Sequence, residues 1–202
     1  MPHEQINLPT LSATLAVPEI PESKISSNLR DLATRTRGDV LDLESLAEKL
    51  AKDSHYSPAG RRAKLHDEIV KLQQGLARRQ DVLKAAAAQL EADEVTLYRV
   101  PQNDPGNYVA ELRDAETRRW LEGLPPEQRS AALKRPEIAM AAARSPIPGP
   151  VAEVGQAMWR AEVERTQSDA VAELSARREA IDSASVPLRM AMNIAQRAET
   201  GR

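Results

Sequence analysis

The pattern that most limits how this chain can fold is a heptad repeat within residues 65–97. Apolar side chains recur there at alternating spacings of four and three residues, which places them on one side of an α-helix. Arg79 and Asp93 put polar side chains into this seam, and Ser57 before Pro58 is typical of a helix start. We therefore predict a long helix with a buried seam formed by Leu65, Ile69, Leu72, Leu76, Leu83 and Leu90.

A second helical segment precedes the seam helix. Its apolar residues also recur every three or four positions, with charged residues between them: Leu29, Leu32, Val40, Leu43, Leu46 and Leu50. Because only the short stretch KDSHYSPAG separates the two segments, we expect them to form an antiparallel hairpin over residues 26–97. A coiled coil between two chains requires the same spacing, so the sequence leaves both arrangements open.

Prolines divide the rest of the chain. Residues 98–149 are expected to hold short helices and Pro-rich connectors, with Asn107 as a cap and Pro126 and Pro136 as helix starts. Two structures are compatible with the sequence VTLYRV (95–100): a short strand or the end of the seam helix. In residues 150–202 we expect one helix of about 30 residues to Ile181, a break over residues 183–186, and a short helix from Pro187 to Glu199.

Aromatic residues make up only 2% of the sequence, and Phe is absent. The core must therefore consist of Leu, Val, Ile, Met and Ala, which suits close packing between helices. The predicted fold class is all-α: a long antiparallel helical hairpin or coiled coil, shorter helices, and an extended N-terminal arm.

We predict an N-terminal arm over residues 1–25 that is apolar but not helical. Apolar residues alternate with Ser12 and Thr14, which is the period of a strand, while Pro9 and Pro18 prevent a helix. A single strand is not stable alone, so we expect the arm to dock on a sheet edge or in a groove of another chain. Its expected anchors are Leu11, Leu15, Val17 and Ile20. The alternative is an arm folded across the chain's own helices.

Residue types needed for common catalytic and metal sites are missing or scattered. The chain has no Cys, and His3, His55 and His66 do not have the spacing of metal ligands. Gly-rich phosphate-binding motifs and the G-x-S-x-G nucleophile motif are also missing from the sequence. We therefore predict a protein without enzymatic activity, cofactor or bound metal, with its three histidines on the surface.

The seam helix carries a local excess of basic residues that could contact phosphates: Arg61, Arg62, Arg78 and Arg79. The net charge of the chain is −2, and no aromatic residue is interleaved with these cations. They could instead form ion pairs with the acidic residues of the first helix. We expect other protein chains as partners and keep nucleic acid as the alternative. Neither a signal peptide nor an apolar membrane span is recognisable, so we expect a soluble protein that is not secreted by a signal peptide.

The stretch WLEGLPPEQRSAALKRPEIAMAAARSPIPG, from Trp120 to Gly149, resembles a pattern in small helical proteins of tailed bacteriophages. A helix ends there in Leu-Pro, a helix with E-x-R follows, and an Ala-rich helix leads to a Pro-Gly break. The resemblance implies a connector, internal or minor structural protein of the virion, located in the virion or the host cytoplasm. A scaffolding or assembly chaperone that leaves the mature particle is the alternative.

Overall fold

The computed structural model describes residues 24–200, which form seven α-helices and no strand. This confirms the all-helical prediction. The helices are α1 (Lys24–Lys52), α2 (Pro58–Leu97), α3 (Tyr108–Glu122), α4 (Pro126–Ala132), α5 (Pro136–Ala143), α6 (Pro150–Thr166) and α7 (Ser168–Thr200).

The predicted start of α2 is confirmed in atomic detail. The Ser57 side-chain oxygen accepts a hydrogen bond from the backbone N–H of Gly60 at 3.1 Å, and Pro58 is the first helical residue. This satisfies one of the N–H groups that a helix start leaves without an internal partner. α1 continues through Gly38 without interruption.

The chain divides into two compact units, and the division falls inside α2 and inside α7. The three-helix unit contains α1, α2 as far as Leu90, and α7 from Ser175. Its core joins apolar residues of α1 and all the seam residues of α2 except Leu90 to apolar residues of α7, four of which are alanines that allow close packing. The α7 residues in this core are Ala180, Ala184, Leu188, Ala191, Ile194 and Ala195. All six predicted seam residues of α2 are buried.

The short-helix unit spans Glu91–Leu174 and contains α3 to α6. Its core is formed by Leu121, Leu133, Ala142 and Val151. α4, α5 and α6 each begin with a proline, whose missing N–H costs nothing in the first helical turn. The predictions for Pro126 and Pro136 as helix starts are therefore confirmed.

Gly155 lies where α5 and α6 cross. A Cβ atom at this position would lie 2.7 Å from both the Cβ of Ala142 and the backbone nitrogen of Ala143. These distances are shorter than van der Waals contact, so only glycine fits without a shift of the helices. The Ala-rich sequence of α5 and the glycine of α6 together permit this close approach.

The strand alternative for residues 95–100 is wrong. Val95 to Leu97 complete α2, and the backbone N–H of Tyr98 still donates to the Glu94 carbonyl at 3.0 Å. β-branched residues are compatible with a helix end when the preceding turns continue the hydrogen-bond pattern, which outweighs their weak preference for strands.

The expected helix arrangement after residue 150 is also wrong. α6 ends at Thr166, and Gln167, with φ −122° and ψ 39°, leaves the helical conformation. α7 then runs through Pro187, where we expected a short separate helix to begin. A proline inside a helix costs about 3 kcal/mol. Ala184, Leu188 and Ala191 are all buried around it, so the packing of a continuous helix offsets that cost.

Candidate functional site

The candidate site is on α3, whose start is set by local sequence. Asp104, Pro105 and Gly106 precede it, and Gly106 has a φ of 88°, in the left-handed region that favours glycine. The side chain of Asn107 then accepts a hydrogen bond from the backbone N–H of Ala110 at 3.2 Å. This confirms Asn107 as the predicted cap and fixes α3 as a helix from Tyr108 onward.

One face of α3 packs into the short-helix unit. Leu121 is fully buried in its core, and Arg118 donates to the Ala141 carbonyl of α5 at 3.0 Å. Asp114, on the same face, forms an ion pair with Arg144 at 3.2 Å, and both side chains are largely buried. These contacts fix the rotation of α3 about its own axis.

The opposite face of α3 is apolar and exposed. Leu112 and Leu121 are nine residues apart, about two and a half turns at 3.6 residues per turn, so they point in opposite directions. The outer face of α3 consists of Tyr108, Val109, Leu112 and Trp120, which are 77%, 60%, 63% and 49% exposed. Exposed apolar residues grouped on one helix face are a feature of protein–protein contacts. Glu116 and Arg119 lie among them and are exposed as well.

The carboxyl end of α3 is held by one side chain of α4. Arg129 donates from Nε to the Leu121 carbonyl at 2.9 Å, and from Nη2 to the carbonyls of Glu122 and Leu124 at 3.2 and 3.0 Å. The last carbonyls of a helix have no internal partner, so a cation that donates to them stabilises the end. This arginine is the R of the E-x-R pattern noted in the sequence.

A second arginine holds the loop that leads into α3. Arg144 Nη1 donates to the side-chain oxygen of Asn103 at 2.7 Å, and Arg144 Nε donates to the Pro101 carbonyl. Asn103 in turn donates from Nδ2 to Asp114 at 2.9 Å. The loop, α3 and the end of α5 therefore share one polar cluster. It gives the outer face of α3 a fixed support.

Tyr98 is the centre of a separate cluster in the short-helix unit. The guanidinium of Arg160 lies 4.4 Å from the centroid of its ring, and its hydroxyl donates weakly to Glu164 at 3.4 Å. Partial burial, followed by the negative charge of Glu164, raises the pKa of Tyr98 above its ordinary value. This cluster fixes the chain just after α2.

Surface ion pairs shift the pKa of two carboxyl groups. A hydrogen bond from Lys71 lowers the pKa of Glu68, and one from Arg165 lowers the pKa of Glu162. The same contacts raise the pKa of Lys71 and of Arg165. Neither group lies in an enclosed cavity, so these shifts describe exposed helix pairs.

The basic residues proposed as phosphate contacts do not form one free surface. Arg79 lies in the seam, where it forms an ion pair with Asp39 of α1 and contacts Thr36. Arg61 donates to the backbone carbonyls of Ala51 and Tyr56, each at 3.1 Å. Arg62 and Arg78 are exposed. The ion pair between Arg79 and Asp39 agrees with the alternative given by the sequence, in which the basic residues pair with acidic residues of α1.

The other predicted site residues lie in different places. The arm anchors Leu11, Leu15, Val17 and Ile20, and also His3, lie outside the described residues. His55 and His66 are exposed, and within residues 24–200 no group of three or more His, Asp or Glu could hold a metal ion. None of the helices in that range has the length and apolar composition needed to cross a bilayer.

The outer face of α3 was not singled out by the sequence analysis. A signal was available, because Tyr108, Leu112 and Trp120 recur at multiples of four in a helix that also contains Leu121. The pattern does not tell which of two apolar sides faces the core.

No protein-family model, no curated protein sequence and no solved structure matches this chain.

Proposed function

We propose that this chain is a non-enzymatic building block of a larger protein assembly. The observation that carries the proposal is the outer face of α3, four apolar side chains exposed on a helix whose inner face is fixed by buried contacts. Covering such a face with another chain removes apolar surface from water, which is favourable by about 25 cal/mol per Å². A rigid apolar face favours association with a protein partner.

The proposal includes an antiparallel hairpin of α1 and α2 as the rigid body. Contacts between the helices support it, because α1 residue numbers fall as α2 residue numbers rise. Arg61 contacts Ala51, and Arg79 contacts Asp39 and Thr36. Burial of the seam leucines in the core of one chain favours a seam that closes within the chain.

The assembly we propose is a tailed-bacteriophage particle, in which the chain serves as a connector, internal or minor structural protein. The support is the Trp120–Gly149 resemblance, together with the role of Arg129 in that stretch. A scaffolding or chaperone role remains the alternative, with the same interaction surfaces. Mass spectrometry of purified particles separates the two, because a scaffolding protein is missing from the mature particle.

The arm, residues 1–25, is the proposed tie between chains. The test is the mass of the full-length chain by light scattering behind size exclusion. We expect a discrete oligomer, and we expect Leu15→Asp to reduce it to single chains with an unchanged helical circular dichroism spectrum. Val82→Asp, at an exposed apolar position of α2, is the matched control and should leave the oligomer intact. Assembly that survives Leu15→Asp would show that the arm does not join the chains.

A further inference from the structure

We propose that the outer face of α3 is the receptor for the arm of a second copy of this chain. The segment from Leu11 to Val17 would lie along α3 in an extended conformation. This inference rests on the proposed function, since it names the partner of the exposed α3 face. It adds a specific pairing of two regions, one on each copy.

The lengths of the two apolar regions agree. Tyr108 and Trp120 are twelve residues apart, which is about 18 Å along a helix axis at 1.5 Å per residue. Leu11 and Val17 are six residues apart, which is about 20 Å in an extended chain at roughly 3.3 Å per residue. Leu11, Leu15 and Val17 can therefore contact both ends and the middle of the outer face of α3 at once.

Glu116 favours an extended occupant over a second helix. Glu116 is exposed and lies between Leu112 and Trp120 along the outer face of α3, so its carboxylate must find a donor when that face is covered. The backbone N–H groups of an extended segment are free to donate, whereas those of a helix are already used. Two α3 helices packed face to face around this point would also bring two Glu116 carboxylates together, which is unfavourable.

Charge agrees with the same pairing. Arg119 lies beside Trp120, and its side chain forms no hydrogen bond or ion pair within residues 24–200. Between Leu8 and Ser23 the only charged residues are Glu19 and Glu22. When Leu11 lies near Tyr108 and Val17 near Trp120, Glu19 follows within reach of Arg119. The pairing thus also fixes the direction of the arm along α3.

The absence of native cysteine allows a direct test. In the proposed register Ala13, about 7 Å along the arm from Leu11, comes beside Leu112, about 6 Å along α3 from Tyr108. Ala13→Cys and Leu112→Cys are made in separate full-length chains, one of them carrying a longer tag, and are mixed under mild oxidation. We expect a disulfide-linked product containing one chain of each kind. Val82→Cys on α2, also an exposed apolar position, replaces Leu112→Cys in the control and should yield at least tenfold less mixed product.

Two results would overturn the inference. One is a mixed product that forms no faster with Leu112→Cys than with Val82→Cys. The other is rapid self-linkage of Leu112→Cys alone without mixed product, which would mean that α3 pairs with α3. In either case Leu15→Asp still decides the proposed function separately.

A second measurement does not depend on disulfide geometry. Leu112→Asp should weaken self-association of the full-length chain at least tenfold by light scattering, whereas Val82→Asp should not. If Leu15→Asp separates the chains and Leu112→Asp leaves them joined, the arm binds elsewhere. This inference then fails, while the proposed function stands.

Discussion

At the scale of single residues, Gly155 has the closest neighbours of all glycines within residues 24–200. We expect Gly155→Ala to destabilise the short-helix unit by about 1–3 kcal/mol, because its Cβ would overlap backbone atoms of α5. The two tryptophans, Trp120 and Trp159, both lie in this unit, so urea unfolding followed by tryptophan fluorescence reports on it selectively.

The matched control is Gly75→Ala. Gly75 lies inside α2, and nothing lies within 4 Å of the position that its Cβ would occupy. Alanine is favoured over glycine in a helix interior by about 1 kcal/mol, so this variant should be more stable by circular dichroism. Equal effects of the two substitutions would show that the crossing of α5 and α6 is looser than described.

The raised pKa of Tyr98 predicts how the stability of the folded chain changes with pH in the alkaline range. Its pKa is raised in the folded chain, so the folded chain holds the phenolic proton more tightly than the unfolded chain does. The resulting stabilisation is complete below the ordinary tyrosine pKa of about 10 and disappears as the pH rises through the raised pKa. The midpoint of thermal unfolding of the wild type, relative to that of Tyr98→Phe, should therefore fall as the pH rises from neutral to above about 10. A difference that does not change with pH would contradict this assignment.

At the scale of elements, the end of α3 depends on Arg129. We expect Arg129→Ala to destabilise the short-helix unit by about 1–3 kcal/mol, because three carbonyls lose a charged donor. Arg135→Ala is the control, since Arg135 is exposed and its side chain makes no hydrogen bond or ion pair within residues 24–200. It should change stability by less than about 0.5 kcal/mol. Tryptophan fluorescence again gives the transition, and equal losses would exclude capping by Arg129.

Helix starts could be predicted from the sequence because their causes are local. Ser57 with Pro58, Asn107, Pro126 and Pro136 each act on the turn that follows them. The burial of one side of α2 could also be predicted, because its apolar residues recur on that side of the helix.

The C-terminal helices and the α3 face could not be predicted, because their causes are tertiary. α7 passes through Pro187 because buried residues on both sides pack as one helix. Leu112 and Leu121 are the same residue type on opposite sides of α3, so the sequence does not tell which of them is exposed. The packing of the core around Leu121 decides it. The candidate site was missed for this reason.

At the scale of the whole molecule, the two remaining classes of partner differ in their dependence on salt. Binding to phosphates releases counterions, so affinity for DNA falls steeply as the salt concentration rises. Apolar association does not weaken in this way. Because Arg61 and Arg79 already bind groups within the three-helix unit, we expect little DNA binding even at about 50 mM salt.

The oligomer mass by light scattering should be the same at about 50 mM and at about 1 M salt, because the contacts proposed between chains are mainly apolar. Fluorescence anisotropy with labelled double-stranded DNA should show no saturable binding over the same range, and Arg62→Ala with Arg78→Ala should change neither result. An oligomer that dissociates at high salt, together with DNA binding that these two substitutions reduce, would instead favour the nucleic-acid alternative. The reason is that Arg62 and Arg78 are the exposed members of the basic group.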